Sequence, residues 1–160
     1  MLTPPRALID TSALRHNLAR VRELAPDSRV MAVIKANAYG HGLETAAAAL
    51  ADADGLAVAR VEEALALRAA GSRQRILLLE GVSRADQLVV AAREDFDVMV
   101  HSHEQLVMLE QRSQVTKLRT WIKVDTGMNR LGFRVEEFAD ALARLVRTSD
   151  QRVIASKRFD

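Results

Sequence analysis

The chain has 160 residues, enough to bury a sizeable single core, and 49% of them are apolar against 28% charged, a balance that excludes disordered and collagen-like sequence. It has no cysteine, which removes disulfides, thiolate catalysis and the usual zinc patterns, so no metal site is expected. The net charge of +2 and pI near 9.4 come from arginines scattered along a chain with only 4% aromatic residues, which points to a solvated surface and away from nucleic acid.

At the N-terminus, Met1 to Arg6 lacks a charged region leading into an apolar run, and no later stretch reaches the roughly 18 apolar residues of a membrane span, so a cytoplasmic protein without membrane contact is expected. Residues 6–10 read as a short strand. Asp10 or Thr11 then caps a helix whose Leu14, Leu18, Val21 and Leu24 form an apolar stripe, ended by Pro26. Val30 to Ile34 is apolar without alternation, as in a strand covered on both faces.

The same unit then repeats. Helices are expected at 43–51, 61–70, from Ser83 with Asp86 as a weak capping box, from Ser102 with Gln105 as a full one, and at 135–147; strands are expected at 55–59, 75–79, 96–100, 118–124 and near Arg152. Strand starts at 29, 55, 75, 96 and 118 are spaced by 20 to 26 residues, close to the smallest strand, crossover helix and loop unit. The pattern is α/β with parallel strands.

An open doubly wound sheet and an eight-stranded barrel both fit. The doubly wound form wants a glycine-rich turn after its first strand, but Lys35, Asn37 and Tyr39 stand there. The barrel places chemistry at the C-terminal ends of strands, where Lys35, His101, Lys123 and the loop from Asp125 fall. The expected fold is therefore an incomplete TIM-type (β/α) barrel of about six parallel strands.

Lys35 ends an apolar strand, where a lysine amine at a barrel mouth can form a Schiff base with an aldehyde or simply snorkel from the sheet edge. Tyr39, Gly40, His41 and Gly42 follow as a short loop before a helix, a setting that suits an anion; Tyr39 offers a hydroxyl or packs in the core, while His41 reads better as a capping or packed residue. A second group, Lys123 to Phe133, brings Lys123 and Asp125 to one strand face and carries Arg130 beyond a turn at Gly127, either to meet an oxyanion or as a surface ion pair.

Ala32 to Gly42, with Lys35, Asn37, Tyr39 and His41, resembles the cofactor-lysine signature of alanine racemases, which carry pyridoxal phosphate on a fold-type III barrel domain. Lys123 to Gly132 resembles a second motif of that family, and Leu77 to Gly81 its third-strand segment, in matching order and spacing up to about Ala155. The resemblance implies that Lys35 forms the Schiff base with the cofactor and acts as base on one face of the substrate α-carbon. Tyr39 would contact the cofactor phosphate and Arg130 its phenolic oxygen or ring. Lys123, carbamylated in some members, would support Arg130, and Asn37, His41 and Met128 would lie around the site.

The second base of the family is a tyrosine from the C-terminal domain of the partner subunit in a homodimer, whereas Tyr39 is the only tyrosine here. The resemblance further divides the chain into 1–10, a strand that normally joins a C-terminal β domain, and 11–160, a truncated barrel, with that β domain absent. Where the family has a Ser, His, Phe run near its sixth strand, this chain reads Ala155 to Asp160, which suggests a shortened gene product, an altered frame or a partial chain. The expected activity is interconversion of L-alanine and D-alanine in the parent enzyme, with this chain inactive alone. A non-catalytic pyridoxal phosphate carrier of the same barrel class, a related decarboxylase and an inert structural fragment are the competing readings; the motif at 125–132 argues against the carrier.

Overall fold

The computed structural model describes residues 6–111, 118–148 and 152–155. Six parallel strands form one sheet: β1 (Met31–Val33), β2 (Gly55–Val58), β3 (Ile76–Leu78), β4 (Phe96–Val100), β5 (Arg119–Ile122) and β6 (Arg152–Ala155). Their spatial order is their sequence order, β1-β2-β3-β4-β5-β6. A doubly wound sheet reverses direction at a switch point, whereas every crossover here advances the same way, as in the wall of a barrel. The crossover elements are α2 (Lys35–Tyr39), α3 (Leu43–Ala49), α4 (Val61–Ala69), α5 (Ala85–Arg93), α6 (His103–Gln111) and α7 (Phe138–Arg147), with α1 (Thr11–Leu24) leading into β1.

Strand alternation sorts the side chains into two layers. Leu56, Val58, Ile76, Leu78, Phe96, Val98, Val100 and Ile122 point to the helices and join Ala64, Leu67, Leu88, Leu106 and Leu145 in the main core. Each such fully buried side chain contributes about 1.5–3 kcal/mol by leaving water. On the inner face Ala57, Leu77 and Met99 cluster with Met31, Leu79 and Trp121. Asp97, in register with Leu77 and Arg119, is fully buried there and accepts from Arg75 Nε at 2.7 Å, Arg119 Nε at 2.7 Å and Trp121 Nε1 at 2.6 Å.

Several expectations are corrected. Residues 6–10 form no strand, because a strand needs a hydrogen-bonding neighbour and no described segment pairs with them; Asp10 instead caps α1, its carboxylate accepting from Ser12 N at 2.8 Å. The α1 stripe is only partly used: Leu18 is buried while Val21 and Leu24 stay exposed. Val33, paired with inner-face Ala57 in the first strand of the described sheet, is exposed, so β1 is not covered on both faces. At α5 the box is closed by Gln87, which accepts from Ser83 N at 2.9 Å, and not by Asp86, which pairs with Arg84. The helix expected from Val135 begins as a 3-10 turn over Val135–Glu137. Residues 1–5 and 156–160, on which the N-terminal reading and most of the divergence after Ala155 rest, lie outside the described residues. Among the described residues no helix is long and apolar enough to cross a membrane.

Candidate active site

β1 continues one residue past Val33, since Ile34 N donates to Ala57 O at 2.8 Å, and buried Ile34 then anchors the half-buried Lys35. The chain next turns the unexpected way. Ala36, Asn37, Ala38 and Tyr39 have φ of 53°, 55°, 52° and 53°, so α2 is a left-handed turn that runs through Tyr39 into the expected glycine loop, where Gly40 and Gly42 have φ of 89° and 91°. Left-handed conformation costs roughly 1–2 kcal/mol per residue other than glycine and asparagine, so Ala36, Ala38 and Tyr39 together carry about 3–6 kcal/mol that the surroundings must offset.

A dense set of hydrogen bonds does so. Ala38 N donates to Ile34 O at 2.9 Å, Gly42 N to Asn37 O at 3.0 Å and His41 N to Ala38 O at 3.0 Å. The exposed His41 places Nδ1 2.9 Å from Ala38 O, the capping role read from the sequence. Asn37 Oδ1 accepts from Leu43 N at 2.8 Å, which occupies a donor at the start of α3 that the sequence reading left free for an anion. Tyr39 is 61% exposed, which removes the core alternative for it.

On the opposite side of the mouth, Lys123 N donates to Val100 O at 2.9 Å and extends the β5 ladder. The half-buried Lys123 amine is held below the ordinary lysine range by burial first and then by the nearby cations of Arg130 and Lys35, with Asp125 opposing. Lys35 and Arg130 thus both act on the Lys123 amine, and all three residues follow the C-terminal ends of β1 and β5.

The strand does not persist to Asp125, since β5 ends at Ile122, and the Asp125 carboxylate turns to its own loop while its charge still acts on Lys123. Its Oδ1 accepts from Gly127 N and Asn129 N, each at 3.0 Å, and these bonds push its carboxyl below the usual carboxylate range. The loop is closed at its base by Asp125 N to Phe133 O at 2.8 Å and Phe133 N to Lys123 O at 2.9 Å. Gly132, at φ 129°, lies in this neck, where a Cβ would come within 2.7 Å of Asp125 N. Arg130 and Met128 are exposed on the loop so formed.

Two further side chains tie the mouth together: Gln105, which the sequence reading took only as a helix cap, and Glu63, which it did not single out. Buried Gln105 donates through Nε2 to Glu80 O at 3.0 Å and Val82 O at 3.2 Å, and its Oε1 accepts from His101 N at 2.9 Å, while His101 Nε2 lies 3.0 Å from Glu80 O. Ser102 Oγ accepts from Gln105 N at 3.4 Å, half of the expected box; the other half is redirected to His101. Glu63 accepts from Ala59 N at 2.9 Å and from Ala36 N at 2.6 Å. An acid in the first turn of α4 was a signal for the first bond, but nothing local marked the second.

Parallel strands in sequential order, with charged groups gathered at their C-terminal ends, define the wall of a (β/α) barrel and its catalytic side. The model of the family "Alanine racemase, N-terminal domain" matches residues 9–155. The alanine racemase of Nitrosococcus oceani is 54% identical over 141 residues, covering 88% of this chain and 40% of that protein. Among solved structures, the biosynthetic alanine racemase of Pseudomonas aeruginosa superposes with a TM-score of 0.84 at 38% identity, covering 94% of this chain and 43% of that one. The histidine racemase of Leuconostoc mesenteroides gives 0.78 at 32% identity, covering 88% and 39%. The chain belongs to the alanine racemase family, through its N-terminal barrel domain. It spans 40% of the length of the Nitrosococcus relative.

Proposed function

We propose that this chain carries one face of a pyridoxal-phosphate-dependent racemase site and that the complete protein interconverts L-alanine and D-alanine. The observation that carries the reading is the placement of Lys35 directly after β1 and of Lys123 and Arg130 after β5, at the C-terminal ends of parallel strands, where the charges of Arg130 and Lys35 act on the half-buried Lys123 and an anionic ligand would offset them. Together with the exposed Tyr39 hydroxyl, this donor set fits a phosphorylated aldehyde cofactor.

When bound, pyridoxal phosphate supplies the electron sink that makes the α-proton of an amino acid removable. Lys35 would hold the cofactor through its amine and serve as the base on one face of the α-carbon. Tyr39 would hold the phosphate. Arg130 would hold the phenolic oxygen or ring region, and Lys123 would support that guanidinium. Asn37 and His41 hold the lysine turn through Leu43 N and Ala38 O, and Met128 stands exposed on the loop near the site.

Inversion needs a second acid–base group on the opposite face. The family resemblance implies that this group is a tyrosine from the C-terminal domain of the partner subunit in a homodimer; Tyr39, the only tyrosine of these 160 residues, is assigned to the cofactor phosphate. The protein then acts in the cytoplasm, in peptidoglycan precursor supply or alanine breakdown. Alanine as substrate rests on relatives such as the Nitrosococcus enzyme, while the similar fold of a histidine racemase argues that side-chain choice lies outside this half.

Adding pyridoxal phosphate to the purified chain is expected to give a visible absorbance band that Lys35→Ala lacks, with no D-alanine formed from L-alanine by chiral chromatography. Equal bands in both chains would overturn the role of Lys35, and turnover by this chain alone would overturn the one-face reading.

A further inference from the structure

The left-handed turn after Lys35 needs an anchor outside itself, and one side chain reaches it from another crossover. Glu63 Oε1 accepts from Ala36 N at 2.6 Å, across 27 positions of sequence, while its Oε2 accepts from Ala59 N at 2.9 Å and Arg60 N at 3.2 Å. One half-buried carboxylate thus joins the first peptide beyond Lys35 to the end of β2 and the start of α4.

We propose that Glu63 is a positioning residue for Lys35, clamping the left-handed turn to the β2–α4 junction so that the lysine amine is held at the barrel mouth. This rests on the reading of Lys35 as the cofactor lysine. The clamp works by its two oxygens: each serves a different segment, and an ionised carboxylate can accept on both sides at once. A glutamine has one acceptor oxygen and must abandon either Ala36 or the α4 junction.

The test is hydrogen exchange, read by mass spectrometry on the 160-residue chain and its Glu63→Gln variant without cofactor. Exchange in segment 35–42 is expected to speed up about tenfold in the variant, a loss within the range for a hydrogen bond to a charged group. With pyridoxal phosphate and borohydride, trapping at Lys35 is expected to slow several-fold while the reactivity of Lys123 is unchanged. Faster exchange confined to 59–64, with 35–42 and Lys35 trapping as in the parent chain, would reduce Glu63 to a cap of α4 and overturn the proposal. Should the variant fail to fold, the Ala36 amide of the parent chain decides by NMR: protection supports the clamp, and exchange at the unstructured rate overturns it. A parent chain that takes up no pyridoxal phosphate at Lys35 would sink the cofactor reading instead, a result distinct from any change in exchange at 35–42.

Discussion

Replacing Asp97 by alanine removes the carboxylate that two arginines and a tryptophan share inside the barrel wall. Asp97 is fully buried, while the side chains of Arg75 and Arg119 are each 26% exposed, so water can take up part of the stranded charge. Removing one partner of a buried ion pair costs about 3–5 kcal/mol, and the exposure of both arginines puts this case near the lower end, about 3 kcal/mol. Arg75 also lies over the Trp121 ring at 5.7 Å, a contact the Asp97 carboxylate holds in place from both sides. With a urea slope of about 2 kcal/mol per molar, the unfolding midpoint should fall by about 1.5 M. Asp97→Asn, which keeps an acceptor oxygen, should fall less. Removing all three charges together, as Arg75→Met, Asp97→Leu and Arg119→Met, should recover part of the loss, because no unpaired charge stays buried, while Asp95, 69% exposed, loses its Arg119 partner to water and the Trp121 Nε1–H loses its acceptor. A midpoint for Asp97→Ala within 0.5 M of the parent, on the order of 1 kcal/mol by the same slope, would refute the reasoning, as would a triple variant no more stable than the single one.

Gly132→Ala should destabilise by about 2–4 kcal/mol, since it adds a backbone clash to an unfavourable φ, whereas Gly127→Ala, at φ 141° with nothing within 4 Å of a Cβ, should cost only the conformational part; equal urea midpoints for the two would contradict the packed neck. Lys123 binds its proton less readily folded than unfolded, so its charge opposes folding at neutral pH, and that penalty fades as pH rises toward the unfolded lysine value of about 10.4. Arg130→Met removes one of the depressing cations, so the midpoint of Lys123 acylation against pH, read by mass spectrometry, should move upward; a downward or absent shift would separate Arg130 from Lys123.

Much of the fold was legible because a parallel barrel wall repeats one local unit. The 20-to-26-residue spacing came from strand, helix and two short loops, and β4 at Phe96–Val100 has the bounds its apolar run suggested. The barrel was separable from a doubly wound sheet by what stands at Lys35, Asn37 and Tyr39, where glycines are missing. What could not be read depends on partners distant in sequence. Val33 is exposed because no described segment covers the inner face of β1, a property of the sheet and not of its residues. The left-handed turn is carried by Ala36, Ala38 and Tyr39, none of which favours positive φ, so its stability comes from hydrogen bonds and from Glu63, 27 positions away. Asp125 looked like a partner for Lys123, yet two backbone N–H groups of its own loop claim its oxygen. Lys35, Lys123 and Arg130 were singled out as residues, but the setting of Lys123, half-buried and under the charge of the other two, emerged only with the fold.

Reductive trapping tests the central claim most directly. The chain has four lysines, Lys35, Lys117, Lys123 and Lys157, which differ only in setting. After incubation with pyridoxal phosphate, borohydride reduction and peptide mapping, the account predicts a single dominant adduct on Lys35, formed at low cofactor excess and lost in Lys35→Ala. Adducts spread evenly over the four lysines, or concentrated on one other than Lys35, would contradict it.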